Sequence, residues 1–389
     1  MTNSFRAAAL LLALAAPLTA RAQAAAGSTA ADAPDSSAAV SEPPPPTYSP
    51  PPEPTATGAP TQSASIANPA TSVIGWFQGV AGNDPDTQRH AFELREAEIG
   101  FQAAVDPFTR ADFFLSAGPE GLDVEEGYIT WLALPGGGQA KIGKFRADLG
   151  KFNRTHPPET PFADRPLTTV TFLGDEGLTT TGVALSAILP NPLGLYWDAT
   201  VNVGVAPDSL ASPVFGPERR DDLLALGRTS VFVPVSEGAD LNFGMSYANA
   251  VSNPQLRAEG NRAQLGVADV TFHWKNPRRS IYRSLLAQVE VLGERGSASG
   301  TKTRSGGFGY LIYQFRRQWK LGARFDWTQS PLETDRETAA LALLQCQPSE
   351  FSTLSVQARR VHDPAANRDS DTAFFKWTFN IGPHGAHPY

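Results

Sequence analysis

The chain has 389 residues, a formal net charge of -7 and an isoelectric point near 5.5, a balance that gives no footing for nucleic-acid binding. Its single cysteine, Cys346, excludes an internal disulfide framework. Past the N-terminus no stretch approaches the ~18 consecutive apolar residues of a membrane helix, so any span of a bilayer has to be made of strands; a mean hydropathy of -0.23 does not oppose this, because barrel strands average two unlike faces.

The first predicted element is an export signal over residues 1–22. Arg6 gives a basic start, Ala7–Leu18 is an apolar run broken by one proline, and Ala20-Arg21-Ala22 is a small-x-small cleavage site. No cysteine follows it, which argues against a lipid anchor. Residues 23–70 are rich in Ala, Ser, Thr and Pro, with proline runs at Pro43–Pro46 and Pro50–Pro52. Such a segment lacks the large apolar residues that build a core, so a disordered, extended spacer is expected. A contact with peptidoglycan is the more specific expectation for this leader, and a spacer without a ligand the simpler one.

From residue 71 to 389 the pattern has period two. Trp197, Ala199, Val201, Val203 and Val205 alternate with Asp198, Thr200 and Asn202; Leu241, Phe243, Met245 and Tyr247 alternate with Asn242, Gly244 and Ser246. Trp319, Leu321, Ala323, Phe325 and Trp327 repeat the pattern, as do Phe375, Trp377, Phe379 and Ile381. Alternation means strands with two unlike faces. The predicted strands are 72–80, 91–105, 108–117, 123–134, 139–149, 177–189, 194–205, 223–234, 239–249, 261–275, 280–292, 305–316, 319–328, 337–347, 350–361 and 371–381. Many reach the nine to eleven residues of a tilted membrane strand, where soluble strands are shorter. Short connections such as Asp106-Pro107, Pro135–Gly138 and Arg317-Gln318 alternate with longer, more polar ones, as in outer-membrane barrels. The expectation is an all-β protein: a transmembrane, antiparallel up-and-down β-barrel of about 16 strands, with both termini on the short-turn side.

The longest connection, 150–176, is the third on the outer side. It carries Lys151, Arg154, His156, Glu159, Asp164 and Arg165 and is stiffened by Pro157, Pro158 and Pro161. A stiff, charged loop in this place is expected to fold into the barrel as a constriction, where charge selects ions. Placing charges toward lipid costs about 2–4 kcal/mol each at the midplane, so Glu96, Glu98, Arg110, Asp112, Glu126, Lys141, Arg324 and Arg359 are assigned to the lumen.

Catalytic signatures such as G-x-S-x-G, H-E-x-x-H or a phosphate-binding loop do not occur. His156 with Glu159 is the one tempting acid–base pair, and His384 with His387 a weak metal-binding spacing in the C-terminal tail. No enzyme activity, cofactor or metal is therefore expected.

The segments Phe92–Ser116 and Val124–Asn153 carry a Leu94-Arg95-x-x-Glu98 strand, the Asp106-Pro107 turn and a Gly143-Lys144-x-Arg146 strand that runs into a long loop with His156 and Asp164-Arg165-Pro166. In these features the chain resembles the phosphate-selective porin-like family of outer-membrane channels, over about Ser72 to Ile381 and most convincingly in the first third. The resemblance implies passive, homotrimeric, ion-conducting pores in outer-membrane lipid. It does not transfer phosphate as the solute, because acidic residues share the lumen with the basic ones. The reading is a porin passing small hydrophilic solutes or ions. The alternative is a non-conducting anchor barrel tethered through its proline-rich leader.

Overall fold

The computed structural model describes residues 68–84, 91–119, 121–207, 212–217, 219–253, 262–296, 303–329 and 336–382. The expected signal peptide, the leader up to residue 67 and the His384/His387 tail lie outside the described residues.

Sixteen strands follow one another: β1 (Ala70–Gly82), β2 (Phe92–Ala104), β3 (Thr109–Gly118), β4 (Gly121–Leu134), β5 (Gly138–Arg146), β6 (Thr179–Ile188), β7 (Tyr196–Val205), β8 (Leu224–Ser236), β9 (Ala239–Val251), β10 (Arg262–Lys275), β11 (Ser284–Arg295), β12 (Thr303–Arg316), β13 (Trp319–Gln329), β14 (Arg336–Ser349), β15 (Ser352–Asp363) and β16 (Arg368–Ile381). Each pairs antiparallel with its chain neighbours, and β1 closes on β16 from Val73 opposite Ile381 to Gly82 opposite Thr372. Closure leaves no unpaired edge, which is what lets a sheet cross hydrocarbon. A helix, α1 (Leu167–Leu173), lies in the connection between β5 and β6.

The expected strand count and order hold, and several connections differ from expectation, among them β15–β16, expected over 362–370 and confined to 364–367. The β10–β11 connection was expected to end at residue 279 and instead runs to 283: Asn276 Oδ1 accepts the Arg278 and Arg279 amides, and a second turn brings the Tyr282 and Arg283 amides onto the Arg279 carbonyl. The β3–β4 connection, expected to be a longer outer loop, is a tight hairpin with Gly118 opposite Gly121.

Outward-facing side chains form an apolar wall, with Val201, Val203, Met245, Val291, Leu321, Phe325 and Val356 exposed on it. Aromatic residues gather toward the short-turn rim: Phe108, Trp131, Tyr196, Tyr282, Phe315, Trp319 and Phe351 are all exposed there. Their amphipathic rings suit the membrane interface. The inner face is not uniformly polar. Leu224 and Leu226 of β8, Ala248 and Ala250 of β9, Leu265 and Val267 of β10 and Leu292 of β11 are buried in one apolar cluster with Leu149, Phe172, Leu173, Val214 and Phe215 from the outer connections. The lumen therefore offers a dry seat on one side, and loop residues fill it. We expect Val356→Arg, which puts a cation on the lipid face of β15, to cost about 2–4 kcal/mol if the side chain sits near the midplane. Reversible urea unfolding from phospholipid bilayers reads this, and a loss well under 1 kcal/mol would mean that this wall does not meet lipid.

Candidate functional site

The site is the connection between β5 and β6, residues 147–178, which crosses the barrel interior. Its neck is closed by Asn153. The Asn153 amide nitrogen donates to the carbonyls of Ala147 and Leu178, both at 2.8 Å, and its Oδ1 accepts the Leu178 amide at 2.9 Å. Gly150 sits at φ +72, and a Cβ there would stand 2.3 Å from Glu290 Oε1. Only glycine meets both conditions. Its absent side chain lets the backbone come onto β11, where Glu290 Oε2 accepts the amides of Lys151 (2.9 Å) and Phe152 (3.1 Å).

Beyond the neck the loop is tied around the wall. Lys376 of β16 donates to the carbonyls of Pro157, Thr160 and Phe162 at 2.7–3.2 Å. Gln357 of β15 accepts the Ala163 amide at 3.0 Å and donates to the Pro161 carbonyl at 3.1 Å. Asp164 takes a two-point contact from Arg324 of β13, at 2.8 and 3.0 Å, and a third bond from Arg359 of β15 at 2.7 Å. Arg359 also pairs with Asp84. Thr168, in the first turn of α1, shares its one hydroxyl hydrogen between the carbonyls of Gly307 and Trp327. Phe152 and Phe162 pack with Phe308, Ile312, Leu341 and Leu343 in a second interior apolar cluster. Such paired arginine–carboxylate contacts are strong and directional.

Past the closure at β1 the loop also meets β2 and β4. His156 Nδ1 lies 2.7 Å from Glu98 Oε2 and 2.7 Å from Glu125 Oε2, and Nε2 lies 3.8 Å from Glu126 Oε1. Arg146 stands 2.5 Å from Glu125 Oε1, and its amide donates to Glu126 Oε1 at 2.7 Å. Glu125 was missed in the sequence. Strict alternation would turn it to lipid once Glu126 faces inward. A bulge resolves this: Phe114 pairs with Glu126 and Leu115 with Val124, so Glu125 is the extra residue and both carboxylates point inward. Bulges re-aim single side chains in this way. The readable signal was the Glu125-Glu126 pair itself, since two successive charges in a membrane strand cannot both avoid lipid without one.

Of the loop residues singled out from sequence, His156 and Arg165 are buried in protein, Asp164 is nearly so, Lys151 and Glu159 are half-buried, and Arg154 is exposed beside Asp148. Among the wall residues, Glu96 accepts from Ser116, Arg110 pairs with Asp112, Lys141 lies over the Tyr128 ring, and Glu98, Glu126, Arg324 and Arg359 meet the loop as described. Burial sets the loop's electrostatics. It raises the Glu159 carboxyl to about 7, helped by Glu98, and lowers the Arg165 guanidinium to about 10, helped by the charge of Arg146. For His156, burial and Arg146 oppose protonation, yet Glu98 and Glu125 outweigh them and hold the imidazole well above its ordinary range. For Asp164, burial is likewise outweighed, here by Arg324 and Arg359, which hold the carboxyl below its usual value.

No protein-family model matches the chain. Over 337 residues it is 27% identical to an uncharacterized protein of Aquifex aeolicus (strain VF5), covering 78% of this chain and 71% of that one. Its fold is similar to that of OprB of Pseudomonas putida (TM-score 0.56, 9% identity, 80% of this chain and 94% of that one). It is also similar to an anion-selective porin of Comamonas acidovorans (TM-score 0.53, 9% identity, 80% and 100%) and to the outer-membrane channel DcaP of Acinetobacter baumannii (TM-score 0.52, 12% identity, 82% and 99%). At these identities the likeness is one of fold alone, and the fold of this chain is a closed sixteen-stranded antiparallel β-barrel.

Proposed function

We propose that this chain is an outer-membrane porin, a passive channel for small hydrophilic solutes or ions, with residues 147–178 as its constriction. The observation that carries the reading is the course of the loop, which leaves β5, crosses the interior and is tied to β11, β15, β16 and β13 before returning to β6. A loop serving only the outer surface needs no such seat. Lys151 and Arg154 keep part of their surface free, so they are the loop cations that meet passing ions. A channel also fits His156 better than catalysis does. At 1% exposure it has no approach for a substrate, and general acid–base work needs the group within reach of the reacting atoms.

The constriction keeps its shape through Asp164. A carboxyl held below its ordinary value contributes stability that is fully present above that value, 3.8, and is lost only as pH falls through the depressed one. The anchor is therefore intact at neutral and mildly acid pH.

In planar bilayers the wild-type barrel should give steady unitary steps. Lys151→Gln combined with Arg154→Gln should lower the anion-to-cation permeability ratio by about twofold, read as the reversal potential in a salt gradient, because fixed charge at a constriction selects by sign. Absence of steps from folded protein would instead favour the non-conducting anchor barrel, and an unchanged reversal potential would place these cations away from the ion path. Asp164→Asn should loosen the loop at neutral pH, raising open-channel noise and costing about 3 kcal/mol in urea unfolding. That is the low end for a broken buried pair, since Arg324 keeps Asp326 and Arg359 keeps Asp84. Wild type should acquire the same noise only below pH 3.8; equal noise in both proteins at neutral pH would contradict the anchor.

A further inference from the structure

We propose that Glu98, Glu125 and His156 form a binding site for one divalent first-row metal ion, zinc in the first instance, which clips the constriction loop to the barrel wall. The proposal concerns the seat of the loop and does not depend on what the barrel conducts.

The three ligands come from three separate elements, β2, β4 and the loop, and all three are buried. Their donor atoms, Glu98 Oε2, Glu125 Oε2 and His156 Nδ1, lie within 4.8 Å of one another. Both carboxylate oxygens stand 2.7 Å from the same ring nitrogen. One nitrogen carries at most one hydrogen, and that hydrogen cannot point along two directions. The two carboxylates therefore share a single ring hydrogen, with Arg146 on the far oxygen of Glu125. A metal ion between the three atoms takes the place of that hydrogen, which leaves the ring nitrogen as a proton when the metal binds, and it meets all three donors at once. Imidazole nitrogen with two carboxylate oxygens is a donor set that zinc accepts, with bonds of about 2.0–2.2 Å and commonly a fourth ligand. Tetrahedral ligands at that bond length stand about 3.3 Å apart, so binding asks each carboxylate oxygen to draw back from the ring nitrogen by about 0.6 Å.

The surroundings are those of a metal ligand set as well. Arg146 holds the other oxygen of Glu125, which orients the remaining oxygen toward the site. Glu126 faces the second ring nitrogen of His156, the place where metal-bound histidines characteristically meet a carboxylate. The bulge that turns Glu125 inward gains a use here: it completes the ligand set that regular alternation would have left one short.

The test uses the full-length barrel, refolded in detergent, stripped with chelator and then equilibrated with zinc chloride. After gel filtration one zinc per barrel should remain by elemental analysis, and the zinc absorption edge should report one imidazole and carboxylate oxygens. Glu98→Gln should weaken zinc at least about tenfold, the scale set by losing even an outer-sphere partner, and His156→Gln should abolish it. A barrel that retains no stoichiometric zinc, or retains it equally in Glu98→Gln, overturns the proposal. So does zinc that disappears on replacing His384 and His387 with alanine, which would place it in the tail. Should a ligand variant fail to fold, the edge spectrum of the wild type decides: carboxylate and single-imidazole ligation supports the site, and two-imidazole ligation overturns it.

Discussion

A charge cannot face hydrocarbon without a cost of several kcal/mol, and a strand has only two faces. Ionisable side chains in the middle of the strands are therefore driven inward, where they must find water or a partner; outward-facing charges such as Arg360 of β15 with Asp369 and Asp371 of β16 sit toward the outer rim. The barrel wall meets this demand partly within itself, as in Arg228 with Asp269 and Arg304 with Glu294, and partly through the loop. Arg324 and Arg359 project from neighbouring parts of the wall, and Asp164 is the carboxylate delivered between them. The loop's path across the interior follows from where the wall presents charge it cannot discharge alone.

Apolar contact adds direction to that path. An ion pair alone leaves a loop free to sample many arrangements at little difference in energy, whereas Phe152, Phe162 and Phe172 each have a fitted place against inward-facing apolar residues of the wall. Polar ties to backbone then remove what freedom is left. Lys376 gathers three carbonyls of one short stretch, and that stretch contains Pro157, Pro158 and Pro161, which donate no amides of their own and have φ fixed by their rings. Stiffness in the loop and a multi-point donor in the wall are matched properties.

The strands were legible because their signal is local. Alternation over ten residues is a property of the side chains themselves, so β7, β9, β13 and β16 could be read directly. Charges on β2 to β5, β13 and β15 could be assigned to the lumen for the energetic reason above. What could not be read was anything that depends on a partner distant in sequence. Glu98 is 58 residues from His156, and Asp164 is 160 from Arg324; nothing in either neighbourhood announces the other. The apolar lumen residues of β8 to β11 escaped for a related reason. A strand that is apolar on both faces looks like any other hydrophobic stretch until the loop that covers its inner face is known. The bulge at Glu125 lies between these cases, visible as an anomaly in the pattern and interpretable only once the pairing with β3 is in place.

The central claim is that residues 147–178 occupy the interior of the barrel and limit what passes. Replacing residues 152–175 with a short glycine–serine link tests it most directly, with the unitary conductance of the folded barrel in a planar bilayer as the readout. The account predicts markedly larger steps than in the parent protein, because the segment removed narrows the water-filled cross-section. Steps of unchanged size from a correctly folded barrel would place the loop outside the conducting path and contradict it.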